Sequence, residues 1–128
     1  MIFRGRRPGN LGVVNGRLAD GPNKPNWVSS QTTDKKHAIA ALGFEGDAKA
    51  AVERLRDTID AMPRTRLIEG GGKYLYFEFS SALMGYVDDV EFYCDGEVIH
   101  VRSASRLGYS DLGANRKRIE TIRAAFAG

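Results

Sequence analysis

A chain with one cysteine cannot close an intramolecular disulfide, and Cys94 has no second thiol to join it in a zinc site. Cys94 falls on the apolar side of a predicted strand, where a small buried hydrophobe is the ordinary reading. Neither His37 nor His100 stands at a spacing that suggests a thiol–imidazole pair. Long apolar runs are also missing. No stretch approaches the roughly 18 apolar residues of a helical membrane span, so no span is expected. Nor does charge of one sign dominate, because 19 basic and 16 acidic residues are interspersed and leave a net +3. The basic clusters are Arg4, Arg6, Arg7 and Arg116, Lys117, Arg118, without the aromatic or motif support of a nucleic-acid binder, so no nucleic-acid partner is expected. The opening MIFRGRRPGN lacks the apolar core of a signal peptide. As written the chain reads as cytoplasmic, and as exported if a leader once preceded it. Metal-ligand spacings, nucleotide loops and Ser/His/Asp orders are absent as well, so no cofactor, metal or catalytic residue is assigned.

What is present is one domain's worth of patterned sequence. At 128 residues the chain can bury roughly two thirds of the surface its unfolded form exposes. Residues 1–36 are rich in proline, glycine and asparagine, and read as an extended N-terminal arm packed on the body. Within it Asn15-Gly16 predicts a tight turn between short strands at Leu11 to Val14 and around Arg17, and Trp27 with Val28 pins the arm down. Residues 37–128 form the α+β domain proper. His37 to Leu42 reads as a short edge strand. Asp47 caps a helix over Ala48 to Met62 whose Ala51, Val52, Leu55, Ile59 and Met62 share a face.

Four strands follow. Thr65 to Glu69 and Lys73 to Phe79 flank Gly70 to Gly72 as a hairpin loop; in the second, Leu75, Phe77 and Phe79 alternate with Tyr74, Tyr76 and Glu78. Asp95-Gly96 then predicts a two-residue turn between Tyr86 to Cys94 and Glu97 to Ser103. That turn would set Phe92 against Ile99, Val90 against Val101 and Asp88 against Ser103 on one face, with Glu91 against His100 and Asp89 against Arg102 on the other. A last helix starts near Ser110 or Asp111 as N-cap, with Leu112, Ile119, Ile122 and Phe126 along its apolar face. Asn115 interrupts that face and must find partners, for which Asp88, Ser103 and Ser105 are the natural ones.

The order strand, helix, four antiparallel strands, helix resembles the TATA-binding-protein-like and helix-grip folds, which implies both helices on one face of the sheet. At residue level the chain resembles the uncharacterised family DUF1499. The resemblance rests on Arg7-Pro8, Leu11-Gly12-Val13, Gly16-Arg17-Leu18, Pro25-Asn26, Val28-Ser29-Ser30, Tyr86 to Phe92 and Val101 to Glu120. Where members of that family typically carry two cysteines around the Pro-Asn pair, this chain has Gly21 and Trp27, so any disulfide or metal role of the pair is absent here. The family implies no activity.

The candidate site is therefore read from residues alone: Asp88, Ser103, Ser105, Arg106, Ser110, Asp111, Asn115, Arg116 and Arg118, at the junction of the last strand and last helix. Three roles suit them. As a binding module, Arg106, Arg116 and Arg118 would take a small anionic or polar ligand, or a protein partner, with the helix start adding NH groups. As a hydrolase, Asp88 or Asp111 would be the general base. As a purely internal network, the cluster would lock the last helix to the sheet. The opposite sheet face, with Tyr74, Tyr76, Glu91, Tyr93, His100 and Arg102, is the rival location, unless the arm covers it with Trp27 on Tyr74 or Tyr76.

Overall fold

Four runs of alternating sequence and one short segment from the arm zip into a single sheet in the computed structural model, which describes residues 4–128. A two-stranded ribbon of β1 (Val13–Val14) and β2 (Arg17–Leu18) comes first, and β3 (Trp27–Ser29) follows. Helix α1 (Ala48–Asp60) precedes β4 (Thr65–Gly71), β5 (Tyr74–Ser80), β6 (Val87–Cys94) and β7 (Ile99–Ser105), and α2 (Ala114–Ala127) closes the chain. The five main strands are all antiparallel neighbours in the order β3-β7-β6-β5-β4. Both helices lie on the same face. Their apolar stripes, Leu55 and Ile59 of α1 and Ile119 and Ile122 of α2, share one core with Phe77, Phe92, Ile99 and Val101 of the sheet. Phe77 and Phe92 meet edge to face at 6.4 Å between ring centres. The N-cap of α1 is Asp47, whose side chain accepts from the Ala50 amide at 2.9 Å.

Three local expectations are corrected. The first strand of the β-α-β4-α order is β3, from the arm, and not His37 to Leu42. That segment makes only single bridges, Ala38 to Ser29 and Leu42 to Ile99, because β3 already occupies the free edge of β7. The first hairpin turns at Gly72-Lys73, since Gly70 and Gly71 still pair, with Leu75 and Tyr74; a bulge near Ile68 takes up the register. The second hairpin has a four-residue turn. Asp95 Oδ1 accepts from the Glu97 and Val98 amides at 2.9 and 3.0 Å, and the Asp95 amide donates to Val98 O, so pairing starts at Cys94 with Ile99. Phe92 therefore faces Val101, Val90 faces Ser103, Asp88 faces Ser105, and Glu91 faces Arg102. The slip is two residues, and side chains alternate with period two, so every residue keeps its expected face.

The ribbon turns as expected at Asn15 and Gly16, both with positive φ (53° and 75°), the geometry of a type I′ turn. Farther along the arm, Trp27 is buried and lies flat on His37, ring centres 3.9 Å apart, with its Nε1–H donating to Pro22 O at 2.7 Å. Gly21 lies against this indole so closely that a Cβ there would sit 2.5 Å from the ring. Gly21→Ala is accordingly expected to destabilise by about 1–3 kcal/mol, through displacement of Trp27. Gly9→Ala, in open space, should stay within about 0.5 kcal/mol of the parent, and urea unfolding of the two variants reads the difference.

Candidate functional site

Alternation along β7 divides the predicted site. Ser103 and Ser105 face the helices, and Arg106, one residue further, faces the other way. On the helix side the cluster assembles around Asn115, the second residue of α2, which is fully buried. Its Oδ1 accepts from Ser103 Oγ at 2.6 Å and Arg118 Nη1 at 3.1 Å. Its Nδ2 faces Asp111 Oδ2 at 2.7 Å, Ser105 Oγ at 2.9 Å and Asn26 O at 3.1 Å. Every polar atom of this side chain is thus engaged within the protein. Asp111 holds the helix start: Oδ1 accepts from the Gly113 amide at 2.8 Å and Oδ2 from the Asn115 amide at 3.2 Å. Burial pushes the Asp111 carboxyl up, and these hydrogen bonds from Asn115 and Gly113 more than reverse that, leaving it below its ordinary value. The N-cap position is nevertheless Gly113, because Leu112 and Gly113 both adopt left-handed conformations (φ 54° and 82°) before the helix begins. Leu112 consequently points to solvent and is not part of the α2 apolar face.

Asp88 meets Arg118 at 2.6 Å, and Arg118 also lies over the Phe79 ring at 5.0 Å. Burial raises the Asp88 carboxyl, and Arg118 and Ser105 only partly offset this. The pair forms the floor of a cleft of about 380 Å³ between the turn 81–86 and the loop 106–113. Ser81, Ser105, Ser110, Asp111 and Arg118 supply the polar lining with Asp88, and Val87, Leu107 and Leu112 supply apolar walls. Ser110 is exposed and its Oγ accepts from the Leu112 amide at 3.2 Å.

The two remaining arginines lie elsewhere. Arg116 and Arg118 are two helix positions apart, or about 200° around the axis, and cannot frame one point. Arg116 reaches the Ala38 and Lys36 carbonyls instead, at 2.8 and 3.3 Å. Arg106 belongs to the opposite sheet face, where its Nη2 contacts Asp89 Oδ1 at 2.6 Å and Glu78 Oε2 at 2.8 Å.

That opposite face is covered, although not by Trp27. Glu78, Asp89, Glu91 and Arg102 are all buried beneath residues 4–18 of the arm. Arg4 and Arg7 both reach Glu78 at 2.7 Å, and the Gly12 amide donates to Glu91 Oε2 at 2.7 Å. Tyr74 and Tyr76 donate to Glu91 and Asp89, each at 2.5 Å, and Arg102 Nη1 meets Glu91 Oε1 at 3.1 Å. Burial raises the Glu78 carboxyl, but Arg106 and Arg7 bring it down to about 2. Sequence reasoning named Arg106 but missed Glu78 and Asp89 as its partners. Their signal was present: charged residues recur at outward positions of β5, β6 and β7, beside an arm that opens with arginines. Asp88 and Asp89 lie on opposite faces, so the Asp-Asp pair cannot act as one paired carboxylate site.

Three substitutions test these contacts. Removing Arg106 leaves Glu78 and Asp89 buried beside fewer cations, so Arg106→Ala is expected to cost about 3–5 kcal/mol in chemical denaturation. The folded value of Glu78 lies below its ordinary 4.5, so its contribution is in place above that pH and is lost as pH falls toward 2; this part of the acid limb should flatten in the variant. On the helix side, Asn115→Ala leaves the buried Ser103 hydroxyl without its acceptor, takes one donor each from Asp111 Oδ2 and the Asn26 carbonyl, and should cost about 2–4 kcal/mol. Asp88→Asn is expected to melt at or above the parent temperature at neutral pH, because the folded state disfavours the charged form of Asp88.

Among the described residues no helix is long and apolar enough to cross a membrane, and no group of three or more His, Cys, Asp or Glu is arranged to hold a metal ion. Neither the curated proteins nor the solved structures contain a match to this chain. A family model does match, over residues 17–126, which take in the ribbon's second strand, the five-stranded sheet, α1, all but the last residue of α2, and the cleft. On that match the chain belongs to the family described as protein of unknown function DUF1499.

Proposed function

We propose that the chain is a binding module and that its ligand is a small polar molecule seated in the cleft over Asp88 and Arg118. The observation that carries this reading is the ion pair itself. Its side chains remain 14% and 21% exposed on the floor of an open cleft, whereas Asn115 behind them is saturated. Two carboxylates, Asp88 and Asp111, stand against one guanidinium in the lining, so the cleft suits a neutral or zwitterionic group better than an anion. A ligand that presents a donor to Asp88 and an acceptor to Arg118, with an apolar part against Val87 and Leu107, matches the chemistry on each wall.

A hydrolase reading, with Asp88 or Asp111 as general base, draws on different facts. Asp111 is committed to the start of α2 by three hydrogen bonds and held low in proton affinity. Asp88 is the carboxylate with raised proton affinity facing the cleft, so a catalytic role would fall to it.

A thermal-shift panel of amino acids, their amides, sugars, dicarboxylates and inorganic phosphate tests the binding reading. A zwitterion or amide present at about ten times its dissociation constant should stabilise by about 1.4 kcal/mol, a rise of a few degrees. The effect should vanish in Asp88→Asn without loss of fold. Stabilisation by none of these compounds at millimolar concentration, or by phosphate and dicarboxylates alone, overturns the reading.

A further inference from the structure

Large apolar side chains that stand clear of the core are concentrated at one end of the molecule. Leu112 is 96% exposed, Leu83 90% and Tyr109 67%, with Met84 and Leu107 at 41%. They come from the two turns that border the cleft, 81–86 between β5 and β6 and 106–113 between β7 and α2. The Arg106 amide, bonded to Val87 O at 3.1 Å, holds the turns side by side. Among the described residues, Val14 is the one large exposed apolar residue outside them. Leu112 is unfavourable on two counts, an apolar side chain in water and a φ of 54° that disfavours any residue with a Cβ. Its amide donates to Ser110 Oγ at 3.2 Å, but the side chain is left 96% exposed, and an apolar side chain held in water at a loop tip points to something outside the fold.

Charge at the same end points to the nature of that partner. One flank of the loop 106–113 is a cleft lined by Lys24, Lys36 and Arg116. The other flank continues into a groove lined by Arg64, Lys117 and Arg118, with no carboxylate in its lining. The carboxylates beside these cations are engaged: Asp88 by Arg118, Asp111 by the start of α2, and Asp34 by His37 Nδ1 and the Lys36 amide.

We propose that this end docks on an anionic bilayer surface. Leu83, Tyr109 and Leu112 enter the headgroup region, and Lys24, Lys36, Arg64 and Lys117 face the lipid phosphates on either side. The apolar residues project singly from the tips of turns around an open cleft. A fluid interface accommodates such protrusions without a matching surface, and its negative potential attracts flanking cations with no fixed contact geometry. The inference does not depend on the cleft taking a ligand.

Co-sedimentation tests it, with vesicles of phosphatidylcholine containing about one third phosphatidylglycerol against vesicles of phosphatidylcholine alone, in about 0.1 M salt. The chain should bind the anionic vesicles and release them as salt rises. Leu83→Ser/Leu112→Ser should melt with the parent and bind about a hundredfold more weakly, roughly tenfold for each leucine. Lys36→Glu/Lys117→Glu should lose the preference for the anionic vesicles. Absence of binding to either vesicle overturns the proposal, as does undiminished binding by the leucine variant. So does a concentration-dependent dimer in analytical ultracentrifugation that the leucine variant dissolves, which would assign the face to a second copy of the chain.

Discussion

Three carboxylates buried on the outer face of the central strands set the terms for the rest of this fold. A sheet with helices on one face ordinarily leaves the other face to water, and charged residues there need no partner. Here Glu78, Asp89 and Glu91 are each at most 2% exposed. Uncompensated, such groups would be strongly destabilising, and the sheet alone answers them with only two guanidiniums, Arg102 and Arg106. The arm completes the shell. It brings Arg4 and Arg7 to Glu78 and the Gly12 amide to Glu91, and the β1–β2 ribbon with buried Leu18 keeps water off the network. Residues 4–18 therefore pack against the sheet, and Arg4 and Arg7 of the basic cluster are spent on one internal carboxylate, Glu78.

The helix side of the sheet is joined by a second, neutral device. Asn115 ties the first turn of α2 to β7 through Ser103 and Ser105, and to the residue before β3 through Asn26 O. One buried amide thus fastens α2 to the preceding β7 and to the distant start of β3. A side chain satisfied at both ends rigidifies its surroundings, whereas a partly satisfied one would be a liability. The consequence is carried outward: the loop 106–113 is anchored at both ends while its apolar tips remain in solvent, and the cleft over Asp88 and Arg118 stays open beside it. Within the cluster Asn115 is buried and fully engaged, whereas Asp88 and Arg118 beside it remain 14% and 21% exposed.

The resemblance to DUF1499 and the geometry reinforce each other at particular residues. The matching run from Val101 to Glu120 contains both the Asn115 fastening and the exposed loop. Gly21 and Trp27, the positions where the resemblance leads one to expect two cysteines, are in contact, with the indole against the glycine backbone.

Much of this could be read from residue order. Period-two alternation assigned Leu75, Phe77 and Phe79 to the core face and Tyr74, Tyr76 and Glu78 to the other. Helical spacing found the buried stripe of α1, and an asparagine on an apolar stripe announced a buried network with Ser103 and Ser105. These are local regularities, set by backbone geometry and the hydrophobic effect within a few residues of chain. Register escaped, because Asp95 captured two amides of its own turn and shifted the hairpin by two residues, a shift that alternation cannot detect. The edge strand escaped as well, since Trp27–Ser29 and His37–Leu42 competed for the same edge of β7. The separation of Arg106, Arg116 and Arg118 followed from strand alternation and helix rotation once the elements had their true ends. Which face the arm would cover was beyond any local pattern, because it depends on charges contributed by four segments that meet only when the chain has closed.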